Sequence, residues 1–357
     1  MPSPFFITTS IMLLLGGIGG RLASLTLLPL PFMLGSLLVA SFAAGFGGRF
    51  LPTGYVFPQR FRIAFIACIG LMIGARVTPE LVSSLHQLGY SLAAISVFVG
   101  LALWINFQIF HRIGGMDRTT AFFAGAPGGL IESITLGEAA NADIKQLVAQ
   151  QFLRIIFVVA VVPIAISLYV GHPVGSAGGL AIGARTAVDV QDLALAALVI
   201  AAGLGIGHTL RLPAWQLTGP LLAAAALSFF GLASLNLPQW MINISQVVIG
   251  TSLGLRFTGL GKRMLLRSLG LSALSVGSML AIGGIMALIL HPLVDQPYDV
   301  LLITFAPGGV TEMGLIALSL HANPAFVTLH HIYRIALTVF VLGFGAKRFH
   351  RAPEQGF

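Results

Sequence analysis

The sequence predicts an all-α, polytopic membrane protein of two homologous repeats. The repeats read as inverted, each with five transmembrane helices plus a Pro-Gly-Gly re-entrant hairpin or broken helix. Three observations predict this. Hydrophobic residues make up 57% of the chain and charged residues 8%, with a mean hydropathy of +0.96. Soluble domains carry about 25% charged residues, so this chain lacks the polar surface that water demands. Apolar runs of roughly 15 to 25 residues recur from Pro4 to Phe344, the length that crosses a bilayer core of about 30 Å. Finally, one register of identical residues returns after 180 positions. A β-barrel would show short segments of alternating polarity, and these runs do not alternate.

The repeat organises everything else. "PQRFRIAFIACIGLMIGARVT" at 58–78 aligns with "PQWMINISQVVIGTSLGLRFT" at 238–258, so Pro58, Gln59, Gly70, Gly74, Arg76 and Thr78 fall on Pro238, Gln239, Gly250, Gly254, Arg256 and Thr258. The same shift carries Ala126, Pro127, Gly128, Gly129 and Glu132 onto Ala306, Pro307, Gly308, Gly309 and Glu312, and Arg154 onto Arg334. "LPFMLGSLLVA" at 30–40 matches "LPAWQLTGPLLAA" at 212–224 with a small insertion. The chain divides into a first membrane repeat, 1–180, and a second, 181–357.

Each half holds six apolar segments. The first half places them at 4–20, 31–48, 62–76, 88–110, 119–140 and 147–170; the second at 190–207, 213–235, 240–256, 265–290, 299–320 and 325–346. The opening segment lacks the basic n-region of a signal peptide. Its Gly17-x-Gly19 also recurs as Gly203-x-Gly205, so it reads as the first transmembrane helix. The third and ninth segments are short and interrupted by Gly70, Gly74, Gly250 and Gly254. Paired Gly-interrupted segments mark helix breaks at a transporter binding site, while glycines four apart also suit close helix packing.

In the fifth and eleventh segments, Pro127-Gly128-Gly129 and Pro307-Gly308-Gly309 interrupt apolar helix. Proline lacks an N–H and disfavours helix in the residue before it, and the glycines permit the turn that follows. The arms on either side are too short to span, as a re-entrant hairpin requires. Irregular backbone at that depth is tolerated only under cover of protein or water, so the tips read as substrate binders.

The net charge of +8 is scattered at the ends of apolar runs, as flanking charges of membrane helices are. If the Pro-Gly-Gly segments return to the side they entered, fourteen Lys and Arg collect on one face, against Arg21, Arg76 and Arg185 on the other. That is the positive-inside asymmetry, with both termini cytoplasmic and the second half inverted. Twelve full crossings would leave the two faces nearly equal.

Glu132, Glu312, Arg154 and Arg334 lie within apolar segments, where ionisable residues are costly and mark function by default. Two readings follow: Glu–Arg pairs that clamp hairpin to helix, or glutamates that carry a coupling proton or cation while arginines hold an anionic solute. Gln150 lies one helical turn before Arg154. His330 takes that place before Arg334, and His331 replaces Gln151, so the second site reads as the richer one. Adjacent histidines do not share a helical face, and no metal site is expected. Asn141, Asp143, His321 and Asn323 read as hairpin-end caps. Lone Cys68 excludes an intrachain disulfide.

The repeated "APGG…E" with its downstream Arg, and the paired "GxxxGxRxT" and "LP…G" elements, resemble the AbrB duplication family of bacterial membrane proteins. The likeness covers nearly the whole chain, and "FAGAPGGLIESITLGEAANAD" is its most specific part. The family's labels imply an ammonia monooxygenase or an AbrB-type regulator of gene expression. A monooxygenase needs a copper site, and the nine His form no well-spaced ligand set. Direct DNA binding needs a soluble module, and no loop is long enough for one. The resemblance also extends, at the level of architecture, to inverted-repeat secondary transporters.

The expected function is secondary transport of a small anionic or zwitterionic solute by alternating access, driven by an ion or proton gradient, since no P-loop is present. Pro127, Gly128, Gly129, Pro307, Gly308, Gly309, Arg154, Arg334 and His330 are the expected substrate contacts, Glu132 and Glu312 the coupling groups. No cofactor is expected. The expected partners are the lipid bilayer, the solute and a coupling ion or proton, with room for a homo-oligomer and none for direct nucleic-acid binding. The expected location is the bacterial inner membrane. The alternatives are a membrane monooxygenase and a regulator acting through a partner, for which "GLRFTGLGKRMLLR" (254–267) would be the basic docking loop.

Overall fold

A computed structural model of the chain describes residues 4–46, 51–52, 54–77, 88–172, 189–232, 235, 237–257, 262–320 and 323–350. Among the described residues there are no strands, and the helices run in this order. The first half holds α1 (Pro4–Ala23), α2 (Pro31–Phe46), α3 (Gln59–Gly74), α4 (Leu88–Gln108), α5 (Arg118–Ala124), α6 (Leu130–Ala139) and α7 (Ile144–Val170). The second holds α8 (Val190–Thr209), α9 (Trp215–Phe229), α10 (Gln239–Gly254), α11 (Lys262–Leu290), α12 (Tyr298–Phe305), α13 (Val310–Ser319) and α14 (Pro324–His350). The bounds of α3, α6 and α7 plus 180 are those of α10, α13 and α14.

Six helices are long and apolar enough to cross a bilayer: Phe5–Ala23, Leu88–Ile113, Ile144–Val170, Val190–Thr209, Leu266–Leu290 and Pro324–Lys347. Large apolar side chains on them stand exposed, such as Leu14 at 69% and Leu168 at 79%. Patches of that kind on so many helices need an apolar solvent. The protein is a multi-pass membrane protein. Helices α2, α3, α9 and α10 have 15 or 16 residues, about 24 Å at 1.5 Å per residue, which is shorter than the hydrocarbon core.

Local chemistry sets the helix ends. Asp117 caps α5 by accepting from the Thr120 N–H at 2.9 Å, and the Asp143 and Asn323 side chains do the same for Gln146 and Phe326 at the starts of α7 and α14. Asn141 turns the chain between α6 and α7 with φ +61°, a conformation asparagine tolerates better than most residues. Between α4 and α5, the π-turn Ile109–Ile113 ends α4.

The chain forms two compact units that cut across the sequence halves. The first comprises Met1–Leu85, Ala160–Gly259 and Thr311–Thr328, and holds α1, α2, α3, α8, α9 and α10. Its helices exchange partners between the halves: α2 packs on α1 and α10, and α9 packs on α8 and α3. Glycines make each seam. A Cβ on Gly70 or Gly74 of α3 would strike the main-chain oxygens of Leu217 or Leu221 on α9. A Cβ on Gly250 or Gly254 of α10 would strike those of Met33 or Leu37 on α2. Gly19 against Gly35, and Gly203 against Gly219, bring backbones equally close. This is small-residue packing in the manner of membrane helices.

Helix breaks are therefore absent at Gly70 and Gly250, which lie inside continuous helices; Gly74 and Gly254 are the last residues of theirs. Facing carbonyls, rather than chain reversal, account for these glycines. Thr78 and Thr258 of the same motif lie outside the described residues.

The second unit comprises His86–Val159, Leu260–Val310 and Leu329–Phe357. It holds α4, α5, α6, α11 and α12 with most of α14 and the first part of α7. Helix α11 packs along α4 and α12.

Candidate functional site

In the second unit α5 and α6 fold back on each other around Pro127-Gly128-Gly129. Gly129 takes the left-handed conformation, φ +61° and ψ +57°, at the start of α6, which is the freedom the motif supplies. The hairpin is closed at its open end, where the Asp143 N–H donates to Thr120 Oγ1 at 2.7 Å. Phe123, Ala126, Ala140, Ala142, Leu147 and Leu342 pack as its core. Asp143, at this exposed end, is held below the ordinary carboxylate range. Partial burial pushes it up, but hydrogen bonds from the Gln146 side chain and backbone and from the Lys145 backbone, with the Lys145 charge, outweigh that.

The tip is buried at Pro127, Gly128 and Gly129. It rests on α14: a Cβ on Gly128 would lie 3.4 Å from Thr338 Oγ1 and 3.6 Å from Ile335, and one on Gly129 would lie 3.1 Å from Val339. In the second half, Ala306 is extended, φ −58° and ψ +133°, as a residue before proline should be. Pro307 and Gly308 are buried and Gly309 is half-buried.

Side chains from α7 and α14 hold the hairpin carbonyls that helix breakage leaves unpaired. Arg154 Nη1 donates to the Ala126 oxygen. Arg334 Nη1 donates to the Ala306 oxygen, and its Nη2 to the Gly308 oxygen at 2.6 Å. Gln151 Nε2 donates to Phe123 O at 3.0 Å and reaches Ala124 O at 3.2 Å. His331 Nε2 donates to Ile303 O at 2.9 Å. Thus Gln151 and His331, which replace one another in the repeat, serve equivalent carbonyls. The carbonyl hydrogen bond also assigns the proton of His331 to Nε2.

Arg154 and Arg334 are 6% and 1% exposed. Among the described residues neither has a carboxylate partner, and the Nε of each has no hydrogen-bond partner. The two guanidinium charges repel one another. Gln150, one turn before Arg154, accepts from Ser272 Oγ through Oε1 and leaves its Nε2 without a partner. His330, in the same place before Arg334, bonds Ser91 Oγ at 2.8 Å. Glu132 is half-buried in the first turn of α6, its Oε2 beside Gly129, where the helix dipole favours an anion.

Three participants carry no motif in the sequence. Asn106 donates to Gly125 O at 3.2 Å and accepts from Ser275 at 2.9 Å. Ser133 Oγ donates to Phe123 O, and Ser91 faces His330. A lone polar residue in an apolar run was their only signal.

The first unit contains Glu312. Its side chain is 4% exposed, and among the described residues Oε2 has no hydrogen-bond partner. The opposite charge of Arg62, on α3, acts on it. Gly314, two residues on, packs against Ile73 and Thr328.

Cavities open in both units among the described residues. One, of about 530 Å³ in the first unit, is lined by apolar groups such as Leu13, Phe32 and Val248 with Asn243. The other, about 500 Å³ in the second unit, lies at the hairpin's open end and includes Met116, Asp143, Lys145 and Arg267. Neither is lined by Arg154, Arg334 or a Pro-Gly-Gly residue; the tips are closed on their own carbonyls. Among the described residues no three His, Cys, Asp or Glu side chains come together as metal ligands would. His321 lies outside the described residues.

A family model described as "Transition state regulatory protein AbrB" matches residues 32–350. The chain belongs to the AbrB family. It is 26% identical over 281 residues to a protein of Escherichia coli (strain K12) named as a candidate regulator, AbrB, covering 78% of this chain and 79% of that one. It is 26% identical over 351 residues to YhjN of Bacillus subtilis (strain 168), whose name assigns no activity, covering 91% and 88%. The AbrB match spans both Pro-Gly-Gly hairpins and both carbonyl-binding arginines.

Proposed function

We propose that this AbrB-family protein is a secondary transporter of a small anionic or zwitterionic solute. It works by alternating access in the bacterial inner membrane, with both termini cytoplasmic. One observation carries the reading: two buried arginines, at equivalent places in the two halves, reach the broken-helix carbonyls of two Pro-Gly-Gly tips and have no carboxylate partner among the described residues. Irregular backbone from discontinuous helices lines the binding sites of transporters, and a guanidinium fork beside it matches carboxylates and oxyanions. A merely structural hairpin would be served as well by uncharged donors such as Gln151, at far lower burial cost.

In this reading the two halves are inverted repeats, and each hairpin re-enters the membrane from the side opposite the other. Support comes from the matched helix bounds, the charge asymmetry of the loops, and the hydrogen bond from Asp143 to Thr120, which returns the first hairpin to its starting level. Glu312 and Glu132 are the coupling groups. The Glu312 carboxyl is buried with one oxygen unpartnered, so it can take a proton or a small cation in place of the missing donor. His330, fixed on Ser91, and the tips at Gly128–Gly129 and Gly308–Gly309 complete the solute contacts. Assembly into a homo-oligomer is compatible with the apolar outer faces of α1 and α8.

The family description and the name of the Escherichia coli relative favour a second reading, in which the protein influences gene expression, through a membrane partner or through the level of the solute it carries. Counterflow in proteoliposomes tests the first reading. Vesicles loaded with a mixture of carboxylates, inorganic oxyanions and amino acids should accumulate at least one labelled counterpart. Loss of uptake in Glu312→Gln, with retained folding, is expected. Absence of any counterflow across the panel, with the protein folded, would overturn transport and leave the regulatory reading.

A further inference from the structure

The buried charge of the second unit narrows the solute, on the reading of the chain as a transporter. Arg154 and Arg334 both belong to this unit and their charges act on one another. The tip of the first hairpin lies on Ile335 and Thr338, the turn of α14 that follows Arg334, and Arg154 holds the Ala126 carbonyl of that same tip. The first hairpin tip therefore lies against the turn of α14 next to Arg334, with the Arg154 guanidinium on it and the Arg334 charge close enough to act on that of Arg154. The partners they have are carbonyl oxygens, which solvate a cation without neutralising it.

The other ionisable groups near this place do not alter the balance. His331 spends its Nε2 proton on Ile303 and His330 is held on Ser91. Glu132 sits half-buried at the start of its own helix, its Oε2 beside Gly129. Donors remain available: the Nε of each arginine and the Nε2 of Gln150, all buried and without partners among the described residues.

We propose that the centre of the second unit is a receptor for a small dianion, an organic dicarboxylate or a sulfate-type oxyanion, held between Arg154 and Arg334. Two fixed positive charges in a medium of low dielectric constant are neutralised by a divalent anion, half-neutralised by a monovalent one, and left uncompensated by a zwitterion. Arginine suits both forms of the ligand, since its fork matches a carboxylate and a tetrahedral oxyanion alike. Gln150 adds an uncharged donor that discriminates by shape.

The test is ligand binding to the purified full-length protein in lipid nanodiscs, by calorimetry at constant ionic strength. The panel is sulfate and succinate as dianions, nitrate and acetate as monoanions, and glycine as zwitterion. At least one dianion should bind about 30-fold or more tightly than every monoanion and glycine. Arg154→Gln and Arg334→Gln should each weaken it by about 30-fold or more, the usual loss when one partner of a buried charge pair is removed. Arg→Lys should restore part of that loss, which a purely structural role would not predict.

Should the arginine variants fail to fold, the wild-type protein still decides. Succinate binding must fall as acid removes its second charge, while sulfate binding does not. A monoanion or glycine binding as tightly as the dianions overturns the proposal and leaves transport standing, as does dianion binding that survives both arginine substitutions. Tight dianion binding without counterflow removes the transporter and keeps the receptor. No binding by any dianion overturns the receptor.

Discussion

Arg334 donates to the main-chain oxygen of Ala306, 28 residues before it, and Arg154 donates to that of Ala126 at the same separation. A broken helix inside a membrane leaves carbonyls that water cannot serve, and each half answers with a cation from its last helix. Charge is an extravagant answer to a need that neutral donors also meet. That excess is where the functional reading begins.

Arg334→Gln removes two charge-assisted hydrogen bonds, each contributing about 1.5–3 kcal/mol. Arg154→Gln removes the bond to Ala126. Thermal unfolding in detergent should therefore place Arg334→Gln below Arg154→Gln. The reverse order would mean that the second hairpin does not depend on its arginine.

Gly70→Val and Gly250→Val place side chains against the main-chain oxygens of Leu217 and Met33, which cannot rotate away. Each should cost about 1–3 kcal/mol. Gly17→Ala is the control: nothing lies within 4 Å of its Cβ, and exchanging a helical glycine for alanine gains about 0.5–1 kcal/mol. Equal melting temperatures for all three would refute the seam.

Glu312→Gln keeps shape and removes a buried charge that lacks one of its partners. Folding stability should hold or rise, while counterflow falls at least tenfold. A variant that melts early and transports normally would make Glu312 a structural residue.

Asp143 offers a pH test outside the spans. Its carboxyl is held below the usual range in the folded protein, so its contribution is complete above the unfolded value of about 3.9 and is lost as pH falls through the folded value. Asp143→Ala should cost about 1 kcal/mol at neutral pH. Asp143→Asn should cost little, since Asn323 caps α14 from the corresponding place, and should flatten the acid limb. An unchanged acid limb in Asp143→Asn would assign it to other groups.

Much of this was legible in the sequence, and the remainder has physical reasons for being hidden. The Pro-Gly-Gly tips, the long apolar helices and the Asp143 and Asn323 caps follow from residue types whose backbone demands are local. The partners of Arg154 and Arg334 were not legible: a glutamate nearby in sequence advertises an ion pair, whereas a carbonyl at Ala126 or Ala306 advertises nothing. Gln151 and His331 look unrelated as side chains and become equivalent only through Phe123 and Ile303. Gly70 and Gly250 looked like helix breaks because a glycine cannot reveal whether its own chain bends or another chain approaches. The grouping of α1–α3 with α8–α10 was equally invisible, since a repeat shows kinship between halves and not which helices meet.

The exchange of α2 and α9 between the halves has a consequence for biogenesis. Gly70 meets its partner only once Leu217, 147 residues later, has left the ribosome, an interval of roughly 7–30 s at 5–20 residues per second. Through that interval the carbonyl-facing grooves of α2 and α3 stand empty in the lipid beside the insertion machinery. The first half is thus a nascent intermediate that only the second can complete, and an early-terminated chain would be a substrate for membrane quality control.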